Sequence, residues 1–147
     1  MSIAQRMVET KWEGALATGS GTLNGTSGAL DGLPVTWAAR TESPGGKTSP
    51  EELAAAAHSS CFSMALALVL GEHKLTPTTL VVGSTVTLDA VDGVPTIVSS
   101  AITVDGDVPG TDAAGFTALV DEAAKICPIS RLFTGANITV EAKYRGA

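Results

Sequence analysis

A run of eighteen residues without a charge, Leu53 to Leu70 (LAAAAHSSCFSMALALVL), constrains this chain more than any other stretch. It is too long for one strand and long enough for about five turns of helix. Its start is marked: Ser49 can cap, Pro50 suits the first helical position, and Glu52 stands where it closes a capping box. Glu51 and Glu52 also sit at the positive end of the helix dipole. The helix is expected to run to about Leu70, with Gly71 near its end. The length touches the lower limit for a membrane span. But the run holds six Ala, three Ser and one His, all weak or unfavourable in lipid, and no second run like it occurs. The expectation is a long central helix buried in protein, with a small-residue surface that allows close approach.

The rest of the chain must supply that enclosure. Its 147 residues suit one domain, 1–147, and bury enough surface to form a core without staples. Aromatics are only 4%, so the core is expected to be Ala, Val, Leu and Ile. A net charge of −6 with no Lys/Arg cluster argues against nucleic acid or anionic membrane as a partner. The first residues, MSIAQRMVETKWEG, carry no apolar segment of signal-peptide type. A cytoplasmic protein is expected, where thiols are kept reduced. Its two cysteines, Cys61 and Cys127, are then catalytic, redox-active, metal-binding or simply buried, rather than a permanent bridge.

Before the long helix, TKWEGALA, SGTLNG and LPVTWAAR read as strands of an antiparallel meander, with turn signals at Asn24-Gly25 and Asp31-Gly32. After it, residues 78–90 and 96–105 are β-branched strands around a turn at Val91–Pro95. Residues 112–126 read as a second helix with Thr111 or Asp112 as cap, where Pro128 stops it or permits only a short further turn, and 137–144 as a last strand. This order, with no Gly-rich motif after a strand, indicates α+β with antiparallel sheets.

Cys61 lies in the middle of the long helix, with His58 and Met64 three residues to either side on roughly the same face. A thiol there is as often a small packing residue as a reactive one. To react it must be held as thiolate, and the dipole gives little help at mid-helix. Arg40, at the end of the apolar strand WAAR, is the best available cation, with Glu51 or Glu52 near in sequence to orient it. Cys127 stands at the end of the second helix in KICPIS, where a thiol can be an accessible partner.

The stretch AARTESPGGKTSPEELAAAAHSSCFSMALALVLGEHKLTPT closely resembles the OsmC/Ohr family of bacterial thiol-dependent peroxidases, nearest to the OsmC branch. The likeness continues through VTLDAVDG, VPGTDAAGF, AAKICPIS and ITVEAKY, so it covers about Trp12 to Tyr144. It implies a single OsmC-like domain, two-cysteine reduction of organic hydroperoxides and, more weakly, hydrogen peroxide, and an intertwined homodimer. It implies that Cys61 attacks the peroxide and Cys127 resolves it as an intramolecular disulfide, with Arg40 and Glu51 as the thiolate-activating pair. No cofactor or metal is implied, and a dithiol or lipoyl-type reductant is.

Helix geometry adds a constraint. Glu51 and Cys61 are ten residues apart, about 15 Å of rise and about 280° of rotation. No glutamate side chain bridges that gap. If Arg40, Glu51 and Cys61 form one network, Arg40 and Glu51 are expected from a second subunit. Three other readings stay open. A metal site from Cys61, His58, His73 and Cys127 has poor spacing. A cysteine hydrolase using His58 and Cys61 lacks an obvious orienting group. The last is a non-catalytic stress or ligand-binding protein on the same fold.

Overall fold

The long helix forms where its capping signals place it. In a computed structural model that describes residues 1–146, it spans Pro50–Glu72. The Ser49 hydroxyl accepts the Glu52 backbone N–H at 3.2 Å, while the Glu52 carboxylate accepts the Thr48 hydroxyl at 3.1 Å. The other end closes beyond Gly71. Lys74 adopts φ 59°, the Leu75 N–H reaches back to the Leu70 carbonyl at 2.9 Å and the Lys74 N–H to that of Gly71 at 3.0 Å. This pair of bonds satisfies carbonyls the last turn leaves open, with a lysine where glycine is usual.

The chain divides into two compact units, Met1–Leu53 and the residues from Ala54 on. In the first, β1 (Val8–Glu13), β2 (Ser20–Gly25) and β3 (Pro34–Val35) form an antiparallel sheet in that order. The third strand is much shorter than LPVTWAAR suggests. Thr36 turns the chain: its hydroxyl accepts the Ala39 N–H at 3.1 Å and starts a short helix, α1 (Trp37–Thr41). Two alanines and an arginine are good helix formers once capped. Arg40 therefore stands on a helix, not at a strand end. The long helix, α2 (Pro50–Glu72), begins in this unit and continues through the next.

In the second unit β4 (Thr79–Val91) and β5 (Val94–Asp107) are joined by Asp92-Gly93, with φ 51° and 78°, a two-residue turn whose twist matches the strands. Then follow α3 (Ala113–Ile126), α4 (Pro128–Leu132) and β6 (Asn137–Tyr144). Asp112 caps α3 by accepting the Gly115 N–H at 2.8 Å. The sheet order is β4-β5-β6, and β5 pairs with β6 in parallel. The expectation of antiparallel sheets fails at this one pairing. The connection through α3 and α4 is a crossover that returns the chain to the end where β5 began, which makes β6 parallel.

The core of this unit fills one side of that sheet. Ser100, Ile102, Val104 and Gly106 alternate along β5 and are buried, while Thr103 on the opposite face is exposed. Phe62, Leu66, Val69 and Leu70 of α2 and Phe116, Val120 and Ala123 of α3 are fully buried in the same cluster. Burial of each large side chain contributes about 1.5–3 kcal/mol. Gly106 lets α3 come close: a Cβ there would stand 2.3 Å from Phe116 Cζ. The expectation of a long buried helix holds for one face only. His58, Phe62, Ala65, Leu66, Val69 and Leu70 are buried, whereas Ala57, Ser60, Met64, Ala67, Leu68 and Gly71 form an exposed row. Met64 is 74% and Leu68 57% exposed.

Candidate active site

Cys127 ends α3, and the proline after it starts α4, so the thiol sits at the corner between two helices. Its N–H still reaches the Ala123 carbonyl at 3.0 Å, and its backbone then turns extended (φ −60°, ψ 116°). Pro128 occupies the first helical position, where a missing N–H is harmless. Cys127 is fully buried in the core cluster, and Cys61, half-buried on α2, packs against the same cluster. The two thiols are free and close enough for one to act on the other. Burial pushes the Cys61 thiol above its ordinary value of 9.0, and the neighbouring Cys127 pushes the same way. A hydrogen bond from the Ile129 backbone N–H works against them. Among the described residues no cation acts on Cys61. The chain alone thus holds Cys61 as a thiol at neutral pH. Of its apolar neighbours on α2, Phe62 and Leu66 are fully buried, but Met64 is exposed.

His58, one turn before Cys61, is fully buried. Its Nδ1 is 2.6 Å from the Ser100 hydroxyl and its Nε2 is 2.8 Å from the Ser130 hydroxyl. Ser100 is in turn 3.0 Å from the Ser84 hydroxyl, and the ring of Phe133 meets the imidazole edge-on at 5.2 Å. Burial lowers the His58 pKa from 6.5, so the ring is neutral, one nitrogen donating and the other accepting. Sequence reasoning placed His58 on roughly the same helix face as Cys61. It missed Ser130 and the Ile129 N–H. Their signal was the CPIS motif itself: with proline first in the short helix, the next N–H has no helical partner.

In the first unit, Arg40 and Glu51 form a tight pair. The guanidinium donates from Nε at 3.0 and 3.1 Å and from Nη2 at 2.7 Å to the two carboxylate oxygens. Of the two glutamates offered by the sequence, Glu51 is the partner, and Glu52 serves the helix cap. The side chains are 28% and 13% exposed, so the pair is only partly screened by water. The Trp37 ring lies 5.9 Å from the guanidinium carbon. This fork engagement uses one edge of the guanidinium and fixes its plane. Arg40 lines a groove of about 350 Å³ whose other walls include Trp12, Leu16, Val35 and Trp37.

The metal and hydrolase readings lose their histidine here. His58 has both ring nitrogens occupied by hydroxyls, so it has no lone pair for a metal and no free edge to act as base on Cys61. His73 sits at the exposed end of α2's turn region against Glu122, at 3.3 Å.

Residues 43–143 match the family described as OsmC-like protein. The chain belongs to this family. It is 41% identical to the peroxiredoxin OsmC of Escherichia coli over 133 residues, 90% of this chain and 92% of the relative. An organic hydroperoxide resistance protein of Xanthomonas axonopodis pv. citri is 36% identical over 97 residues, 65% of this chain and 66% of the relative. The crystal structure of an OsmC organic hydroperoxide resistance protein from Legionella pneumophila shares the fold, with a TM-score of 0.79 over 97% of this chain and 99% of that one, at 23% identity. The OsmC-like fold is thus α+β, as the sequence resemblance implied.

Proposed function

We propose that this chain is a two-cysteine peroxidase that reduces organic hydroperoxides to alcohols. One observation carries the reading: the half-buried Cys61 and the fully buried Cys127 of one chain meet at the same core cluster, close enough for Cys127 to act on the Cys61 thiol. The Cys61 thiolate attacks the terminal peroxide oxygen. The O–O bond breaks, the alkoxide leaves as the alcohol on taking a proton, and Cys61 becomes a sulfenic acid. The Cys127 sulfur then displaces the hydroxyl group, which leaves as water with the Cys127 proton, and a disulfide forms. A dithiol, of small-molecule or lipoyl type, restores both thiols by exchange. The apolar walls of the Arg40 groove favour an organic over a hydrogen peroxide.

The thiolate needs a cation, and we assign it to Arg40, oriented by Glu51, of a second copy. Two facts support this composite site. Nothing positive acts on Cys61 among the described residues. Glu51 and Cys61 lie ten residues apart on one unbroken helix, about 15 Å. The exposed row of small and apolar residues on α2 is a surface that a second copy covers in a homodimer. In this reading both compact units work as one domain of a cytoplasmic enzyme, in defence against oxidative or osmotic stress, without nucleic acid or membrane as partner.

Thiol titration before and after one equivalent of cumene hydroperoxide tests the reading. The wild type loses both thiols, Cys61→Ser abolishes peroxide consumption, and Cys127→Ser consumes one equivalent and stalls. Peroxide consumption that survives in Cys61→Ser would leave a non-catalytic binding protein as the better account.

A further inference from the structure

The element that carries the resolving chemistry has no stability of its own. α4 has five residues, far below the length at which a helix persists alone. Its orientation is therefore set by what holds it, and two of its holds are on one side chain. Ser130 in its middle meets His58 Nε2 at 2.8 Å, and Phe133 at its end meets the same ring at 5.2 Å. His58 is itself held from behind by Ser100 at 2.6 Å, and Ser100 by Ser84 at 3.0 Å, so the chain runs from β4 through β5 and α2 to α4. Every hydroxyl and ring nitrogen in it has a hydrogen-bond partner, as a buried polar network requires. His58 and Cys61 are three residues apart on α2, hence neighbours along one side of it. Fixing α4 on His58 thereby fixes Cys127 and the Ile129 N–H relative to the Cys61 sulfur.

We infer that His58 is the positioning residue of the resolving step, acting through Ser130 to hold the Cys127 corner against Cys61. The inference rests on the peroxidase reading above. Once Cys61 is a sulfenic acid it has two fates. Cys127 can displace the hydroxyl group as water, or a second hydroperoxide can transfer an oxygen, giving sulfinic acid and a second alcohol. The first depends on the placement of Cys127, and the second does not. Their ratio is fixed after the sulfenic acid forms, so it is independent of how fast Cys61 attacks.

The test is mass spectrometry of the full-length protein treated with a graded excess of cumene hydroperoxide, read as the ratio of Cys61–Cys127 disulfide to Cys61 sulfinic acid. Ser130→Ala removes the hydrogen bond with little change in packing. His58→Asn keeps a group at the Nδ1 position, facing Ser100, and loses the one facing Ser130. His58→Gln keeps a group at the Nε2 position, facing Ser130. Ser130→Ala and His58→Asn are expected to lower the ratio roughly three- to tenfold, the effect of losing one net hydrogen bond. His58→Gln is expected to restore most of it. Wild-type ratios in Ser130→Ala would overturn the inference while leaving the peroxidase reading intact. A His58→Gln ratio as poor as that of His58→Asn would also overturn it, because the ring and not its bond to Ser130 would then matter. A wild type that forms neither product would overturn the peroxidase reading and this inference together.

Discussion

The two halves of the proposed two-copy site are held by opposite means. Arg40 stands on a five-residue helix in the first unit, and charge-assisted hydrogen bonds to Glu51 fix its guanidinium. Cys61 and Cys127 stand at the edge and inside an apolar core, and packing fixes them, with His58 a polar anchor nearby. Groups held by polar contacts are displaced by changing one atom, with little effect on the fold. Groups held by packing move only when the core does, so changes near them register first as lost stability. Substitutions in the two units are therefore expected to separate activity from stability.

The largest effect is expected at the charged pair. Arg40→Met removes the proposed source of thiolate stabilisation and should lower peroxidase turnover roughly 10²–10³-fold, the scale seen when a positioned donor is removed from an active site. Glu51→Gln leaves Arg40 in place without its fork-shaped partner and should lower turnover less, about tenfold. Thermal unfolding should move little in either variant. An equal loss of stability and activity would break the contrast. Mixing Arg40→Met with Cys61→Ser sharpens it: if the site is shared between copies, a heterodimer regains one intact site and part of the activity, and a site within one chain regains none.

Next comes the core beneath the thiols. Gly106→Ala places a Cβ 2.3 Å from Phe116 Cζ, so the buried Phe116 ring must shift, and with it α3, whose end carries Cys127, if the ring has no room to swing. Overpacking of this kind costs about 1–3 kcal/mol. The expected result is a lower midpoint in thermal or denaturant unfolding, with Arg40 groove geometry untouched. An unchanged midpoint would mean that the ring has room to swing, and that packing is not what fixes the Cys127 corner.

How far these halves could be read from sequence follows the same division. The helix start was legible because Ser49, Pro50 and Glu52 act through local backbone bonds, and the last strand because Asn137–Tyr144 alternates cleanly. Thr36 was not, since a threonine after a strand residue reads as more strand unless its hydroxyl is seen to cap. The parallel pairing of β6 was hidden because strand direction is set by the crossover and not by the strand's own residues. In the site, both cysteines and Arg40 could be singled out from the residues themselves, while Glu51 was named only through the family resemblance. The choice between Glu51 and Glu52, and the bond of Ser130 to His58, depends on side chains meeting across 11 and 72 residues of sequence. Such encounters leave no local trace.

The smallest effects are electrostatic, and they bear directly on whether the two halves meet. The His58 pKa is lowered in the fold, so below about 6.5 the unfolded chain binds a proton that the native state resists. Stability should fall as pH drops through that range, and His58→Gln should flatten the slope. Cys61 behaves oppositely in the chain alone. Its pKa is raised, so above 9.0 the unfolded thiol ionises before the native one and stability falls as pH rises. A partner's Arg40 over Cys61 reverses that sign. The native pKa then lies below 9.0, and the stability it brings is present above 9.0 and lost as pH falls through the native value. Titrating the Cys61 thiolate by its ultraviolet absorbance in Cys127→Ser, above and below the concentration at which a dimer dissociates, reads this sign. A pKa that drops on association joins the polar half of the site to the packed half. One that stays raised at every concentration leaves them apart and removes the two-copy site.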